Sequence, residues 1–421
     1  MDEQESETSP ERPIRVADAS DLKFLLESDL PPRAVLNVLA PDIELPPDAD
    51  EATIARLLIS LVDPPRRNKL TQFNTIEDAV QLIRKSNKII VLSGAGISTS
   101  AGLPDFRSRN GIYKQIHEKH PNLSDPKCIF DIKFFRKNPQ PFYHFARALF
   151  PGQYEPTVGH NFIKCLEEHG KLLNNYTQNI DTLEKQAGIR RVVECHGSFA
   201  KATCTNCRYS LDGEYIKKDI FSNKIPICPL CHSSDEGPND GLGVMKPNIV
   251  FFGEQLGINF HDTLEADKDR VDLLIVIGSS LKVRPVALLP TLIPHEVPQI
   301  LINREPLGHF NFDIELYGNC DEIIQELCHR LGDGWTKICL PGWKPLTELD
   351  ASKQSPAFKL KTSSGLESVE ECDGANVDTD RVRLSEIIDP LQEAGPKVPE
   401  GTFLFVKPNK YIFNGAEIAS A

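Results

Sequence analysis

Near-continuous apolar runs alternate with helix-period stretches through the middle of this chain. The runs at residues 89–92, 172–176, 273–277 and 299–302 are each followed by small or polar residues: Ser93-Gly94, Thr177-Gln178, Gly278-Ser279-Ser280 and Asn303. Runs rich in Val, Ile and Leu predict strands buried on both faces of a parallel sheet. Helical stretches between them predict a doubly wound, mostly parallel, Rossmann-like α/β domain over residues 71–340. Ligands of such sheets bind outside the carboxyl ends of the strands, and the chemistry-bearing residues of this chain gather there.

The flanks read differently. Residues 1–19 are acidic and polar, the composition of a disordered segment. Residues 20–64 hold three apolar-periodic segments split by prolines, with Ile54, Leu57, Leu58 and Leu61 at helical spacing. They predict a small helical module that needs a surface to dock on. Pro64-Pro65-Arg66-Arg67-Asn68-Lys69 reads as a solvated linker, with a nuclear localisation signal as the alternative. Residues 345–395, rich in Ser, Asp, Glu and Lys, predict a second linker. Within residues 396–421, apolar density returns at 402–406 and 411–413 around Pro408-Asn409, which predicts a hairpin covering an open sheet edge.

Composition narrows the chemistry. A net charge of −13 over 421 residues argues against sequence-independent binding to nucleic acid and suits partners with basic segments. Met1 to Glu5 lacks the basic and apolar runs of a secretory leader, and no run reaches the ~18 apolar residues of a membrane span. The 11 cysteines are therefore expected in a reducing compartment. Cys204-x2-Cys207 and Cys228-x2-Cys231, 20 residues apart, then predict a four-thiolate zinc cage, structural because no coordination position is left open. This ribbon occupies about residues 197–246. Cys128, Cys165, Cys195, Cys328 and Cys339 read as small apolar filler.

At the strand ends, Gly94-Ala95-Gly96-Ile97-Ser98 lets backbone N–H groups approach a pyrophosphate. Thr99 replaces the third glycine of a dehydrogenase fingerprint, which weakens that reading. Gly102-Leu103-Pro104 leads into Asp105-Phe106-Arg107, either a mobile lid or a surface turn. Gln178 and Asn179 are amides suited to a ribose or carboxamide. Asp181 with Glu184 reads as a capping box, and Gly188 as a helix C-cap. His196 ends a strand before Gly197, where a neutral imidazole makes a general base. Val250-Phe251-Phe252-Gly253-Glu254 reads either as a core strand or as the wall of an apolar tunnel for an acylated side chain.

Taken together, these residues resemble the sirtuins, NAD-dependent protein-lysine deacylases. The carriers are GAGIS at 94–98, PDFRS at 104–108, TQNID at 177–181, the CHG around His196, both CxxC pairs, VFFGE at 250–254, GSSLKV at 278–283 and NRE at 303–305. The flanks resemble the nuclear class I branch. The resemblance implies NAD+ and one structural Zn²⁺, acetyl-lysine proteins including histone tails as partners, and a nuclear location with the cytoplasm as a further one. No membrane or nucleic-acid contact is expected.

By the same resemblance, Gly94, Ala95, Gly96, Ser98, Asp105, Phe106, Arg107 and Tyr113 lie near the phosphates and nicotinamide. Gln178 and Asn179 hold the ribose, with Asn179 also catalytic. Ile180 and Asp181 line the nicotinamide pocket. Gly278, Ser279, Ser280, Asn303, Arg304, Glu305 and Cys320 hold the adenosine end. The acyl oxygen attacks the ribose C1′ and nicotinamide leaves; His196 then takes a ribose hydroxyl proton, giving free lysine and O-acetyl-ADP-ribose. Val250, Phe252, Gly253 and Glu254 on one side, and Lys282 and Val283 on the other, receive the peptide as a strand. Three rival readings stand beside this one: a mono-ADP-ribosyltransferase, a zinc-ribbon binding module and a dehydrogenase.

Overall fold

The computed structural model describes residues 67–108, 111–121, 123, 125–231, 243–350 and 398–418, together with Arg33, Ala34, Leu36, Asp50 and Ile54. The acidic segment 1–19 and almost all of the linker 345–395 lie outside these residues, as does most of the helical module. Two compact units are distinguished: Met1–Arg67 with Leu281–Leu292, and Asn68–Ser280 with Ile293–Ala421. In the first, Arg33, Ala34, Leu36 and Ile54 are helical, and Leu36 and Ile54 are buried. Its segment Leu281–Leu292 carries the 3₁₀ turn Val286–Leu288 and the short helix Leu289–Leu292.

The second unit is built on a nine-stranded sheet. Its strands are β1 (Ile89–Ser93), β2 (Leu172–Thr177), β3 (Val192–Glu194), β7 (Leu273–Ile277), β8 (Gln299–Asn303), β9 (Ile314–Tyr317), β10 (Thr347–Asp350), β11 (Thr402–Val406) and β12 (Lys410–Ile412). A separate antiparallel sheet holds β4 (Gly197–Cys204), β5 (Ser210–Asp212) and β6 (Met245–Ile249), in the order β5-β4-β6. In the large sheet, β3-β2-β1-β7-β8-β9 are all parallel. This order runs outward from β1 in one direction and from β7 in the other. The switch point of a doubly wound fold is therefore the gap between the ends of β1 and β7, where a crevice opens. Every residue of β1, β7 and β8 is buried, the burial expected of apolar runs covered on both faces.

Helices supply that cover. Ile76–Lys85 starts from a capping box between Thr75 and Asp78, and Val158–Glu168 from Thr157, whose own N–H donates to His160 Nδ1. Together with Cys320–Leu331 they bury Ile83, Phe162, Ile163, Ile324 and Leu327 against Ile89, Ile275 and Ile300. A second core joins the small sheet to the aromatic helices Ile132–Lys137 and Gln140–Leu149, around Phe130, Phe135, Phe142, Phe199 and Phe251.

Residues 402–412 form a hairpin, and β12 adds in parallel to β9, the last strand of the central six. Phe403 and Phe413 are fully buried and stack at 4.7 Å between ring centroids. Tyr411 Oη accepts from the Ile76 N–H at 2.9 Å, satisfying a helix-start donor that has no intrahelical partner. β10 departs from the sequence reading. Thr347–Asp350 falls in a span read as linker, yet pairs in parallel with β11. Four residues with one Leu carry too little apolar signal, and the strand exists because β11 offers an unpaired edge.

If the hairpin is held by this burial, Phe413→Ala will destabilise the folded state by about 3–5 kcal/mol. Chemical denaturation measures this. A loss within ±0.5 kcal/mol, the range of surface changes, would mean that the hairpin is not integral to the core.

Candidate active site

The crevice floor is backbone meeting backbone. A Cβ on Gly96 would stand 2.6 Å from Gly278 Cα, and one on Gly94 2.7 Å from the Gly278 carbonyl oxygen. Gly278 itself has φ +61, the left-handed region that favours glycine. Gly94 N–H donates to Ile277 O and Gly96 N–H to Gly278 O, which ties the turn after β1 to the turn after β7. Ala95–Ala101 continues as a 3₁₀ helix.

The end of β2 faces this floor. Asn179 Nδ2 donates to Gly94 O at 3.2 Å, and Gln178 Oε1 accepts from Ser279 Oγ at 2.6 Å. Asp181 accepts from Ser98 Oγ at 2.7 Å, and Ile180 is buried beside it. Gly94, Ala95, Gly96, Ser98, Gln178, Asn179, Asp181, Gly278 and Ser279 thus form one connected group, and Ser280 follows directly.

His196 lies after β3 and its orientation is fixed. Its Nδ1 is 2.9 Å from the Gln178 carbonyl oxygen, which only accepts, so Nδ1 carries the proton. Nε2 is left with its lone pair, buried and without a partner among the described residues. Burial lowers the imidazole's pKa below its ordinary 6.5, and the Gln178 bond opposes this only in part. At neutral pH the ring is a neutral base.

Beneath Asp181 lies a polar cluster that motif reading missed. A ring nitrogen of His160 and carboxylate oxygens of Asp181 and Glu184 lie within 4.8 Å of one another. Burial pushes Asp181 up, with the Glu184 charge second, and burial drives His160 down. Glu184 does not complete a capping box. It is buried, 3.3 Å from Ser93 Oγ, and burial raises its pKa too. The helix Leu183–Gln186 starts instead at Thr182, while Asp181 Oδ1 accepts from Leu183 N. The Gly188 stop is present, with φ +82. No spacing rule links His160 to Asp181, because the fold alone brings them together.

Asp105 accepts from the Arg107 and Ser108 N–H groups, and the Ile112 and Tyr113 N–H groups donate to Asp105 O and Phe106 O, which ties residues 105–106 to the start of the helix Ile112–Lys119. Arg107 sits over the Tyr113 ring, and Phe106 packs on Tyr113 and Phe130. On the far side, Asn303 Nδ2 donates to Glu305 O, and Arg304 pairs with Asn319 and Glu417. Cys320 is buried, its thiol pushed up to about 12 by that burial, so it stays protonated.

Val250 to Glu254 follows β6. Phe251 is buried among Phe130, Phe135 and Phe142, whereas Phe252 is 39% exposed. Gly253 takes φ +85. The Glu254 carboxylate reaches Lys246 through Oε2 at 2.8 Å, while its side chain stays 31% exposed. Lys282 and Val283 lie in the first compact unit.

The four zinc-spaced cysteines converge. Cys204 and Cys231 Sγ are 3.7 Å apart, as are Cys207 and Cys228, and all four lie within 4.8 Å of one another. Four sulfurs at ~2.3 Å from one Zn²⁺ stand about 3.8 Å apart, whereas a disulfide brings them to ~2.05 Å. The set therefore fits one tetrahedral Zn²⁺ and not a pair of disulfides. A side chain at Gly243 would collide with Cys204 Sγ, so this glycine belongs to the cage. Of the cysteines read as filler, Cys165, Cys195 and Cys328 are buried, and Cys128 and Cys339 half-buried.

The Sir2 family model matches residues 94–285. The NAD-dependent protein deacetylase sirtuin-1 of Rattus norvegicus is 55% identical over 309 residues, covering 73% of this chain and 55% of that protein. Its Homo sapiens namesake is also 55% identical over 309 residues, covering 73% of this chain and 41% of the relative. The NAD-dependent histone deacetylase SIR2 of Candida glabrata is 44% identical over 292 residues, 63% of this chain and 57% of the relative. The chain spans about half the length of the curated relatives it matches.

Cys204→Ser will lower zinc content below one ion per chain and unfold the small sheet, because structural zinc contributes ~10 kcal/mol or more to such sites. Elemental analysis with hydrogen exchange over β4–β6 checks it. Protein that keeps its fold and carries no zinc would contradict the assignment.

Proposed function

We propose that this chain is a member of the Sir2 family, the sirtuins, and an NAD-dependent protein-lysine deacetylase acting in the nucleus on histone tails and other proteins. The observation that carries this reading is the setting of His196: a partly buried imidazole fixed by its Nδ1–H on the Gln178 carbonyl, with Nε2 enclosed and without a partner among the described residues. The net charge of −13 supports lysine-rich partners.

The residues present suit NAD. Gly94, Ala95 and Gly96 give a bare backbone floor for the pyrophosphate, and Ser279, Ser280, Asn303, Arg304, Glu305 and the Cys320 backbone would hold the adenosine end. Gln178 and Asn179 would hold the ribose; Ile180, Asp181 and Ser98 would line the nicotinamide side, with Asp105, Phe106, Arg107 and Tyr113 closing over it. Bound NAD supplies a ribose C1′ that carries nicotinamide as leaving group. Asn179 is anchored through Nδ2, which leaves its Oδ1 to orient a ribose hydroxyl or a water. His196 Nε2 would accept the ribose hydroxyl proton while the Gln178 carbonyl steadies the Nδ1–H of the imidazolium that forms. Val250, Phe252 and Gly253 with the Glu254 backbone would present the acyl-lysine.

Two outcomes test the reading. Incubation with NAD and an acetyl-lysine peptide will give nicotinamide and O-acetyl-ADP-ribose by mass spectrometry. Nicotinamide release that is equally fast without the acylated peptide would favour an ADP-ribosyltransferase and overturn the proposal. His196→Ala will lose ~10²–10⁴-fold in rate while staying folded and zinc-loaded.

The pH profile follows from burial. Since His196 titrates below 6.5, the base stays neutral as pH falls through that value, and activity drops only at lower pH. Asp181 is itself pushed up to about 6, so Asp181→Asn is the control: an acid limb that persists in it belongs to His196. An acid limb near 6 that vanishes in Asp181→Asn would assign the titration to Asp181.

A further inference from the structure

Lys246 is an unusual residue for a core strand. It lies on β6, is only 8% exposed, and its ammonium has three oxygen partners: Ile249 O at 2.6 Å, Glu254 Oε2 at 2.8 Å and Pro247 O at 3.4 Å. It also stands 4.1 Å from the Phe251 ring centroid, over its face. A Lys ammonium has three N–H donors, and each finds an acceptor. Burial lowers its pKa, and Glu254 opposes that shift. Arg136 adds a repulsive charge nearby, so Glu254 is the anion that permits a cation here.

Simple stability is a weak reason for such a pair. Lys246 is buried but the Glu254 side chain is 31% exposed, and a pair with one partner in solvent adds little net energy; what it supplies is a fixed geometry. What this one fixes is the turn 250–254. Glu254 Oε2 accepts from Phe251 N–H as well as from Lys246, and Glu254 N–H closes back on Phe251 O. The same segment is tied at two further points. Val250 N–H donates to the carbonyl of His196, and Phe252 exchanges hydrogen bonds with Phe130 O and Ile132 N. At its other end, β6 pairs with β4, placing Lys246 opposite Thr203 and Met245 opposite the zinc-spaced Cys204.

We propose that the Lys246–Glu254 pair is a positioning device for the acyl-peptide: it locks residues 250–254 into the form that receives the peptide backbone and transmits to that segment the rigidity of the zinc-bearing sheet. This rests on the reading of residues 250–254 as the acyl-peptide wall. The pair touches no reacting atom. Its action is on how the substrate is seated, so it separates peptide binding from dinucleotide binding. It also gives the zinc cage a route to the active site that needs no contact with the reacting centre, since β4 runs from His196-Gly197 at one end to Cys204 at the other.

The test compares Lys246→Met, Glu254→Gln and Lys246→Arg in the full chain. The first two are expected to raise KM for an acetyl-lysine peptide on the order of tenfold, about 1.4 kcal/mol, with KM for NAD and zinc content unchanged and kcat affected less. Lys246→Arg keeps the cation and should recover most of the loss, which a merely volumetric role for Lys246 would not produce. Hydrogen exchange should show the Val250 and Phe251 amides losing protection in the first two variants while β7 and β8 keep theirs. Unchanged protection of residues 250–254 in folded Lys246→Met or Glu254→Gln overturns the proposal, as does an unchanged peptide KM. If the wild type itself shows no acyl-peptide-dependent nicotinamide release, the functional reading fails, and the exchange measurement alone decides whether the pair locks the segment.

Discussion

The whole site hangs on one close approach. The turns after β1 and β7 meet without side chains between them, Gly94 and Gly96 against Gly278, and this contact sits at the switch point of the parallel sheet. A side chain at any of the three would push the turns apart or fill the crevice. From that contact the site is assembled by hydrogen bonds: Asn179 onto Gly94 O, Asp181 onto Ser98, Ser279 onto Gln178, and His196 onto the carbonyl of Gln178. The chain from glycine floor to imidazole is continuous. An error in the floor therefore propagates to the base, although His196 lies far from the glycines in sequence.

A second dependence runs through the small sheet. β4 begins immediately after His196 and ends at Cys204, so one strand joins the imidazole to the four-cysteine cage. β6 returns antiparallel to it and delivers Val250 to Glu254 beside His196. A Zn²⁺ in this four-cysteine cage would hold two arms of the site in register without touching it, since four thiolates leave no open position. On the other flank, the C-terminal hairpin extends the sheet from β9, and Glu417 pairs with Arg304 after β8.

Much of this was legible in the sequence, for physical reasons. The apolar runs at 89–92, 172–176, 273–277 and 299–302 became strands within a residue of their expected ends, because strands buried on both faces admit little else. The CxxC pairs converged because thiolate spacing is set by the metal. What was not legible depends on contacts between distant segments. Glu184 read as a cap and is instead a buried acid near Ser93 and His160. The bonds of Glu254 Oε2 to Lys246 and to the Phe251 N–H were not visible in the motif. β10 has no pattern of its own and is defined by the edge that β11 presents. Each case turns on a partner that local pattern does not name.

The most direct test of the central claim is dinucleotide binding to Gly96→Ala. The added methyl meets the Gly278 backbone at 2.6 Å, where no side chain can swing away. Titration calorimetry with NAD should show no binding at concentrations that saturate the wild type, while zinc content and circular dichroism are retained. Wild-type affinity for NAD in that variant would show that the crevice between β1 and β7 is not where the dinucleotide binds.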